Sequence, residues 1–157
     1  MSNDLVFALH EKIVHLIKMR SHLEYSRAKV RQWWRVDKNF DGWDDEQMES
    51  LAAFKARFSE LQDHLASCMK MVARIEEQDT TVFTHVLNYM VKLYILDSIE
   101  QWQETRALRN TATHDYSAAE ETKALHFQNL LMHTDYLFDA MDALQRFVAD
   151  FYPHNKS

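Results

Sequence analysis

The residues that build tight turns are almost missing from this sequence. Glycine and proline each occur once in 157 residues, as Gly42 and Pro153. Because a β-rich fold needs many tight turns, such a fold is excluded. Apolar residues make up 46% of the chain and aromatic residues 12%, which also excludes a disordered chain. We therefore predict an all-α fold, with residues 1–157 forming a single helical domain.

Cysteine and long hydrophobic runs are equally scarce. Cys68 is the only cysteine, so no disulfide can form within the chain, and nothing indicates an oxidising compartment. The N-terminus lacks a signal pattern, and no stretch approaches the roughly 18 uninterrupted apolar residues of a membrane helix. We expect a soluble, cytoplasmic protein without a membrane partner.

The sequence also lacks the common metal and nucleotide motifs. Nine histidines are present, yet no Glu-x-x-His, His-Glu-x-x-His or cysteine pair occurs. His126 and His133 lie seven positions apart, which makes a weak ligand pair. No glycine-rich phosphate loop is present either. We expect no metal and no cofactor, with the histidines as surface or hydrogen-bonded polar residues.

One strong turn signal occupies residues 37–44. Acidic and amide side chains alternate from Asp37 to Asp41 ahead of the glycine, as in a calcium-binding loop. The twelfth position of such a loop requires a glutamate, and here that position is Met48. We favour a simple turn followed by Asp44 as a helix cap, with calcium binding as the minor alternative.

Charge is unevenly distributed along the chain. The net charge is −6, which argues against a general attraction to nucleic acid. Residues 18–38 nevertheless hold seven basic and two acidic side chains. This basic segment is compatible with a solvated helix face, with a surface that guides RNA, or with docking on an acidic partner.

Apolar residues recur every seven positions in three long segments, which is typical of helices in an antiparallel bundle. The first two segments are residues 4–36 and 45–77. The last is the fourth predicted helix, which starts near Ala118; the third helix is described below. In the second segment Leu61 and Leu65 should be buried, and Cys68 should be packed rather than reactive. Trp33 and Trp34 close the first segment, and we interpret them as a lid on the core. The seven-residue series are Leu9, Leu16, Leu23 and Val30, with Ile13 and Ile17 beside them; Leu51, Phe58, Leu65 and Val72; Phe54, Leu61, Cys68 and Ile75; Leu130, Leu137, Leu144 and Phe151; and Phe127, Thr134, Met141 and Val148.

The third helix is predicted over about residues 82–112. Residues 79–81, Asp-Thr-Thr, supply a candidate N-cap. Ser117 followed three residues later by Glu120 matches a capping box for the fourth helix. The buried side of the third helix should carry Phe83, Leu87, Met90 and Tyr94. The expected architecture is an up-and-down bundle of four principal helices.

Three side chains that could take part in catalysis or phosphate binding cluster between the third and fourth helices. Arg109 carries a planar guanidinium group that is always positively charged and is suited to binding phosphate. His114 is the side-chain type that titrates near neutral pH, and Tyr116 adds a hydroxyl. Arg109 falls near the end of the third helix, whereas His114 and Tyr116 fall in the connection. The two basic residues could equally cap the last carbonyls of the helix.

The spacing of these residues resembles the signature of the HEPN superfamily. The signature consists of Arg109, four residues, His114, one residue and Tyr116. The positions of Trp102, Arg106, Arg109 and Asn110 are similar to those of its HepT-like branch, ribonuclease toxins paired with minimal nucleotidyltransferase antitoxins. Residues 57–63, Arg-Phe-Ser-Glu-Leu-Gln-Asp, resemble the second helix of that branch, so the similarity spans roughly residues 50–150.

The resemblance implies a function and a set of roles. Two motif turns would meet in a homodimer and cleave RNA without a metal. His114 would transfer a proton and Arg109 would stabilise the phosphoryl charge, with Asn110 and Arg106 in support. In HepT-like systems the nucleotidyltransferase can attach AMP to the motif tyrosine, here Tyr116, and silence the toxin.

Two alternatives remain open. A sister family of HEPN proteins acts as the non-catalytic, substrate-binding partner of a nucleotidyltransferase. The chain could also be an interaction protein with a vestigial motif. Loss of RNA cleavage on His114→Ala would distinguish the toxin from both.

Overall fold

All regular structure in the described part of the chain is helical. The computed structural model describes residues 2–37, 42–109 and 120–154. No strand occurs in these ranges, so the prediction of an all-α fold is confirmed. The helices are α1 (Ser2–Arg31), α2 (Asp45–Ile75), α3 (Phe83–Lys92), α4 (Ile99–Arg109) and α5 (Glu120–Phe151).

The third predicted helix is two helices, so the prediction of one continuous segment over 82–112 was wrong. α3 ends at Lys92 because Tyr94 adopts the left-handed conformation with a φ of 60°. The Tyr94 amide donates to the Val91 carbonyl at 3.1 Å, and the Ile95 amide donates to the Met90 carbonyl at 2.9 Å. These two bonds form a Schellman closure that stops the helix. Tyr94, expected on the buried side, is therefore 90% exposed.

α2 ends in the same kind of closure. Glu77 has a φ of 58°, its amide donates to the Arg74 carbonyl at 3.0 Å, and the Gln78 amide donates to the Ala73 carbonyl at 2.9 Å. Glycine usually occupies the left-handed position of this motif because it lacks a Cβ. With one glycine in the whole sequence, this chain uses glutamate and tyrosine there instead.

Of the three predicted helix caps, the capping box of Ser117 with Glu120 begins outside the described ranges, and the other two have different outcomes. The Asp44 carboxylate accepts from the Gln47 amide at 2.7 Å, and the Gln47 side chain accepts from the Asp44 amide at 3.0 Å. This capping box confirms Asp44 as the cap of α2. The predicted N-cap at residues 79–81 was wrong, because α3 starts after Val82, which makes no side-chain cap. The Asp79 carboxylate accepts instead from the Thr81 amide at 2.9 Å, which satisfies a turn rather than the helix.

The seven-residue series form one core, which α2 organises by contacting each of the other four helices. Leu61, Leu65 and Cys68 are fully buried, as predicted. Burial also raises the pKa of the Cys68 thiol to about 12, so this group is packed and unreactive. Two series residues depart from the prediction, because Ile17 and Phe151 are exposed.

The tandem tryptophans lie just beyond α1 and cover one end of the core, which confirms the lid interpretation. Trp34 stacks on the buried Trp43, with ring centroids 5.6 Å apart, and its Nε1 donates to the Gln128 Oε1 of α5 at 2.7 Å. Trp33 contacts the same Trp43 ring at 4.7 Å between centroids. Three tryptophans therefore join the end of α1 to α2 and α5.

Two arginines of the basic segment bind an acidic helix of the same chain. Arg20 Nη1 lies 2.6 Å from Asp142, and Arg27 Nη1 lies 2.6 Å from Asp135. Both guanidinium groups also cover the ring of Phe138, at 4.5 and 4.9 Å from its centroid. These ion pairs lie within one chain, which none of the three interpretations of the basic segment anticipated.

Membrane insertion of a helix finds no support in the described ranges. No helix there is both long enough and apolar enough to cross a membrane.

Candidate functional site

Arg109 is the last residue of α4, and its side chain reaches back to the middle of α2. Its Nη1 donates to the Asp63 carboxylate and, at 3.5 Å, to the Ser59 carbonyl oxygen. The Arg109 side chain is 20% exposed and that of Asp63 is 55% exposed. The C-terminal end of α4 is thus tied to one turn of α2.

The ion pair leaves part of the guanidinium group available. Its contacts with described residues use Nη1 alone, and a guanidinium carries five N–H donors on three nitrogens. Nε and Nη2 therefore have no acceptor among the described residues. Asp63 offsets part of the positive charge, so the local field is weaker than that of an unpaired arginine.

The buried face of α4 fixes the direction in which Arg109 leaves the helix. Trp102 and Thr105, which share this face with Arg109, are buried. Thr105 Oγ1 donates to the Gln101 carbonyl at 2.7 Å and lies 3.1 Å from the Nδ1 of His133 on α5. Packing against α5 thereby holds α4 in position beside α2.

The other predicted site residues divide into two groups. Arg106 is described, and its side chain is exposed near the C-terminal end of α4. Asn110, His114 and Tyr116 lie within residues 110–119, outside the described ranges. The motif turn at 109–116 is therefore described only at its first residue, Arg109.

The structure joins the two segments that were matched separately in the sequence. Ser59 and Asp63 belong to the segment 57–63, and both contact Arg109. Arg57, the first residue of that segment, points elsewhere and donates to the Ser26 hydroxyl of α1 at 2.6 Å. The first residue of the segment thus contacts α1, whereas Ser59 and Asp63 contact Arg109 of the candidate site.

Sequence reasoning missed two buried polar side chains on the helices that pack around α4. Gln62, adjacent to Asp63, is buried, and neither its amide oxygen nor its amide nitrogen has a hydrogen-bond partner in the described part of the chain. His126 of α5 is buried, and its Nε2 likewise has no partner there. Burial lowers the pKa of His126 to about 4, aided by the positive charge of Lys55. No spacing rule reveals such residues, because their burial depends on packing between helices.

A three-ligand metal centre is not found in the described ranges. No group of three histidine, cysteine, aspartate or glutamate side chains there is arranged to hold a metal ion.

No protein-family model, curated protein or solved structure matches this chain.

Proposed function

We propose that this chain is a toxin-like, metal-independent endoribonuclease of the HepT-like type, active as a homodimer. The observation that carries the proposal is the placement of Arg109. It ends α4, five positions before His114 in the sequence, and its guanidinium group is oriented by Asp63 on α2. In this proposal α3 and α4 together form the third member of an up-and-down bundle.

The reaction needs no group outside the RNA and the protein. The 2′-hydroxyl oxygen attacks the adjacent phosphorus, and the bond from phosphorus to the 5′-oxygen breaks. A base removes the 2′-hydroxyl proton and an acid delivers a proton to the leaving oxygen, which leaves a cyclic phosphate and a 5′-hydroxyl. His114 performs one of these proton transfers, and in a dimer the two copies supply two such histidines.

Arg109 supplies the positive charge for the phosphoryl oxygens. Its Nε and Nη2 can donate to two oxygens while Nη1 stays on Asp63, so the guanidinium group is oriented before RNA arrives. Asn110 follows directly in the sequence and supports the phosphate or His114. Arg106 is exposed on the same end of α4, where its charge can contact the RNA backbone.

Tyr116 is the proposed regulatory residue. A minimal nucleotidyltransferase antitoxin would transfer AMP to its hydroxyl, with pyrophosphate leaving from ATP. The attached phosphate would lie beside Arg109 and occupy the site that RNA phosphate needs.

A non-catalytic, substrate-binding partner of a nucleotidyltransferase is the second candidate. The ion pair between Arg109 and Asp63 favours it, because a paired arginine also serves as a structural link between α4 and α2. Under this alternative the purified protein would not cleave RNA.

RNA cleavage by the purified full-length chain tests the proposal. We expect cleavage in the presence of a chelator, with His114→Ala slowed by roughly 10²–10⁴-fold. Arg109→Lys keeps the positive charge but loses the planar guanidinium group, so its RNA cleavage should also be strongly impaired while the protein remains folded. Arg74→Lys, an exposed arginine at the far end of α2, is the matched control and should cleave normally.

The results separate the two candidates. Undiminished cleavage in both Arg109→Lys and His114→Ala would overturn the nuclease proposal. An inactive wild-type protein that binds a nucleotidyltransferase would favour the substrate-binding partner.

A further inference from the structure

Helix α1 carries a second stripe of uncharged residues on the side opposite its core residues. Its buried leucines, such as Leu9 and Leu16, recur every seven positions and face the core. On the other side of the helix, residues recur at intervals of three or four positions, which places them on one face. None of them is an acid, a lysine or an arginine. This outer face of α1 consists of Phe7, His10, Val14, Ile17, Ser21 and Tyr25.

The outer face of α1 is open to solvent in the single chain. Phe7 is 66% exposed, Val14 52%, Ile17 48% and Tyr25 65%. Within the described ranges α1 contacts only α2 and α5, and neither of them covers this face. A helix with apolar residues on opposite sides is expected to have a neighbour on each side, so one neighbour of α1 is missing from the single chain.

The end of α5 extends the outer face of α1 into a wider patch. A groove of about 260 Å³ runs between the two helices and is lined by Val14 and Ile17 of α1 and Ala149 of α5. Next to it, Phe7 and the exposed Phe151 line a cavity of about 460 Å³. Ile17 and Phe151, the two series residues that are exposed against expectation, therefore belong to the same patch.

The size of this patch suits an interface between proteins. Phe7, Tyr25 and Phe151 are 66%, 65% and 65% exposed. An aromatic side chain can bury 150–250 Å², so these three leave roughly 300–500 Å² uncovered. A specific interface covers about 800 Å² on each partner, part of which is a polar rim. Three aromatic residues thus supply about half of that area before the aliphatic residues are added.

The charges beside the outer face indicate which partner fits. Glu11 and Lys18 are seven positions apart, so both flank the outer face on the same side. Both are exposed, and neither forms an ion pair with a described residue. When two identical helices pair in antiparallel fashion, each flank meets the same flank of the partner helix. Glu11 of one copy then lies beside Lys18 of the other, and the twofold symmetry forms this ion pair twice.

We propose that a second copy of this chain binds the outer face of α1, with the two α1 helices antiparallel about a twofold axis beside Val14. The groove between α1 and α5 accepts apolar side chains of the other copy. A homodimer is already part of the proposed function. The surface is assigned here from α1 and the end of α5 alone, so it does not depend on RNA cleavage or on the motif at 109–116.

Charge reversal in the full-length protein tests this interface. Light scattering should give a dimer for the wild type at micromolar concentration. Glu11→Lys and Lys18→Glu each replace two attractive contacts with two repulsive ones, so each should weaken dimerisation by about tenfold or more. The double variant, Glu11→Lys with Lys18→Glu, restores both ion pairs in the opposite sense and should dimerise like the wild type.

Two further variants test the centre of the interface and its limits. Val14→Asp places two carboxylates together at the twofold axis, so it should abolish the dimer, and it should leave the chain folded because Val14 is exposed. Arg31→Glu is the matched control, since Arg31 is exposed at the last residue of α1, beyond the outer face, and its reversal should leave the dimer unchanged.

Three results would each overturn the proposal. They are a monomeric wild type, a dimer that Val14→Asp leaves intact, and a double charge variant that dimerises as weakly as the single variants. RNA cleavage is not part of this readout. An inactive protein that dimerises through α1 would therefore overturn the proposed nuclease and support this interface, and the two proposals can fail separately.

Discussion

At the scale of single residues, Arg109 is both a structural tether and the central group of the proposed site. Its ion pair with Asp63 is partly exposed, and such pairs contribute only about 0–1 kcal/mol to stability. Loss of the pair should therefore leave the protein folded. Activity measurements on Arg109 variants can then be interpreted as effects on function, because the free energy of unfolding changes little.

The buried His126 predicts a loss of stability in mild acid. Burial, with the charge of Lys55, lowers the pKa of His126 from 6.5 to about 4. Between these values the unfolded chain binds a proton that the folded chain does not, so the free energy of unfolding falls as the pH drops through this window. His126→Leu should reduce that fall, as measured by urea unfolding at pH 7 and at pH 4.5.

His22 is a suitable control for this measurement, because it is an exposed histidine on α1. His22→Leu should show the same pH dependence as the wild type. If His126→Leu loses as much stability between the two pH values as the wild type does, His126 is not the group responsible.

At the scale of the helices, α2 should be highly sensitive to truncation of its buried side. Leu61 and Leu65 are both fully buried, so replacing either with alanine should cost about 2–5 kcal/mol, through lost apolar contacts and a residual cavity. Chemical denaturation measures this loss. Glu60→Ala, an exposed neighbour on the same helix, should change stability by less than about 0.5 kcal/mol. Equal effects at buried and exposed positions would contradict the packing of α2.

Glycine at the left-handed positions Glu77 and Tyr94, which end α2 and α3, should increase the stability of the protein. A residue with a Cβ costs roughly 1–2 kcal/mol in the left-handed conformation, and glycine avoids that cost. Glycine also gives the unfolded chain more freedom, which offsets part of the gain. We expect Glu77→Gly and Tyr94→Gly each to raise the free energy of unfolding by about 0.5–1 kcal/mol.

The control for these substitutions lies inside a helix. Asn88 is exposed in the middle of α3, so Asn88→Gly should destabilise the protein by up to about 1 kcal/mol. Destabilisation by glycine at Glu77 or Tyr94 would mean that the native side chain contributes more than its backbone strain costs.

At the scale of the whole molecule, internal ion pairs reduce the basic surface available to RNA. Arg20 and Arg27 of the basic segment bind Asp142 and Asp135, and the chain as a whole carries a charge of −6. Attraction of a single chain to RNA should therefore be weak. A cleft between two copies would instead bring two Arg109 side chains to the same phosphate backbone.

The proposed site accordingly requires a dimer. Light scattering at micromolar concentration should give twice the mass of one chain. Mixing His114→Ala chains with Arg109→Lys chains adds a sharper test. In a mixed dimer, the site between the two copies would carry the histidine defect from one copy and the arginine defect from the other. A monomer at this concentration would rule out a site composed of two chains.

Several features follow from the sequence because their causes are local. A seven-residue apolar repeat places its members on one helical face, so the burial of Leu61, Leu65 and Cys68 could be predicted without knowing what lies opposite. The Asp44 capping box likewise needs only residues within one turn. The scarcity of glycine and proline determined the all-helical class in the same way.

The break in the third predicted helix illustrates where local signals end. Glycine and proline are absent near Tyr94, so no usual helix terminator marks the end of α3, although Ser98 with Gln101 three residues later is a local start signal for α4. The left-handed turn buries Ile95 and Leu96 in the core, and that packing stabilises a backbone conformation that tyrosine alone does not favour. The sequence determined that both parts are helical, whereas tertiary packing decided where one stops.

The proposed site depends on a contact that only the folded chain creates. Arg109 and Asp63 are 46 positions apart. The sequence determined which chemical groups are available at these positions, including Arg109 as the first residue of the motif. Only the packing of α4 on α2 decided that these groups meet, because hydrogen bonds act over a few ångströms of space, whatever the separation along the chain.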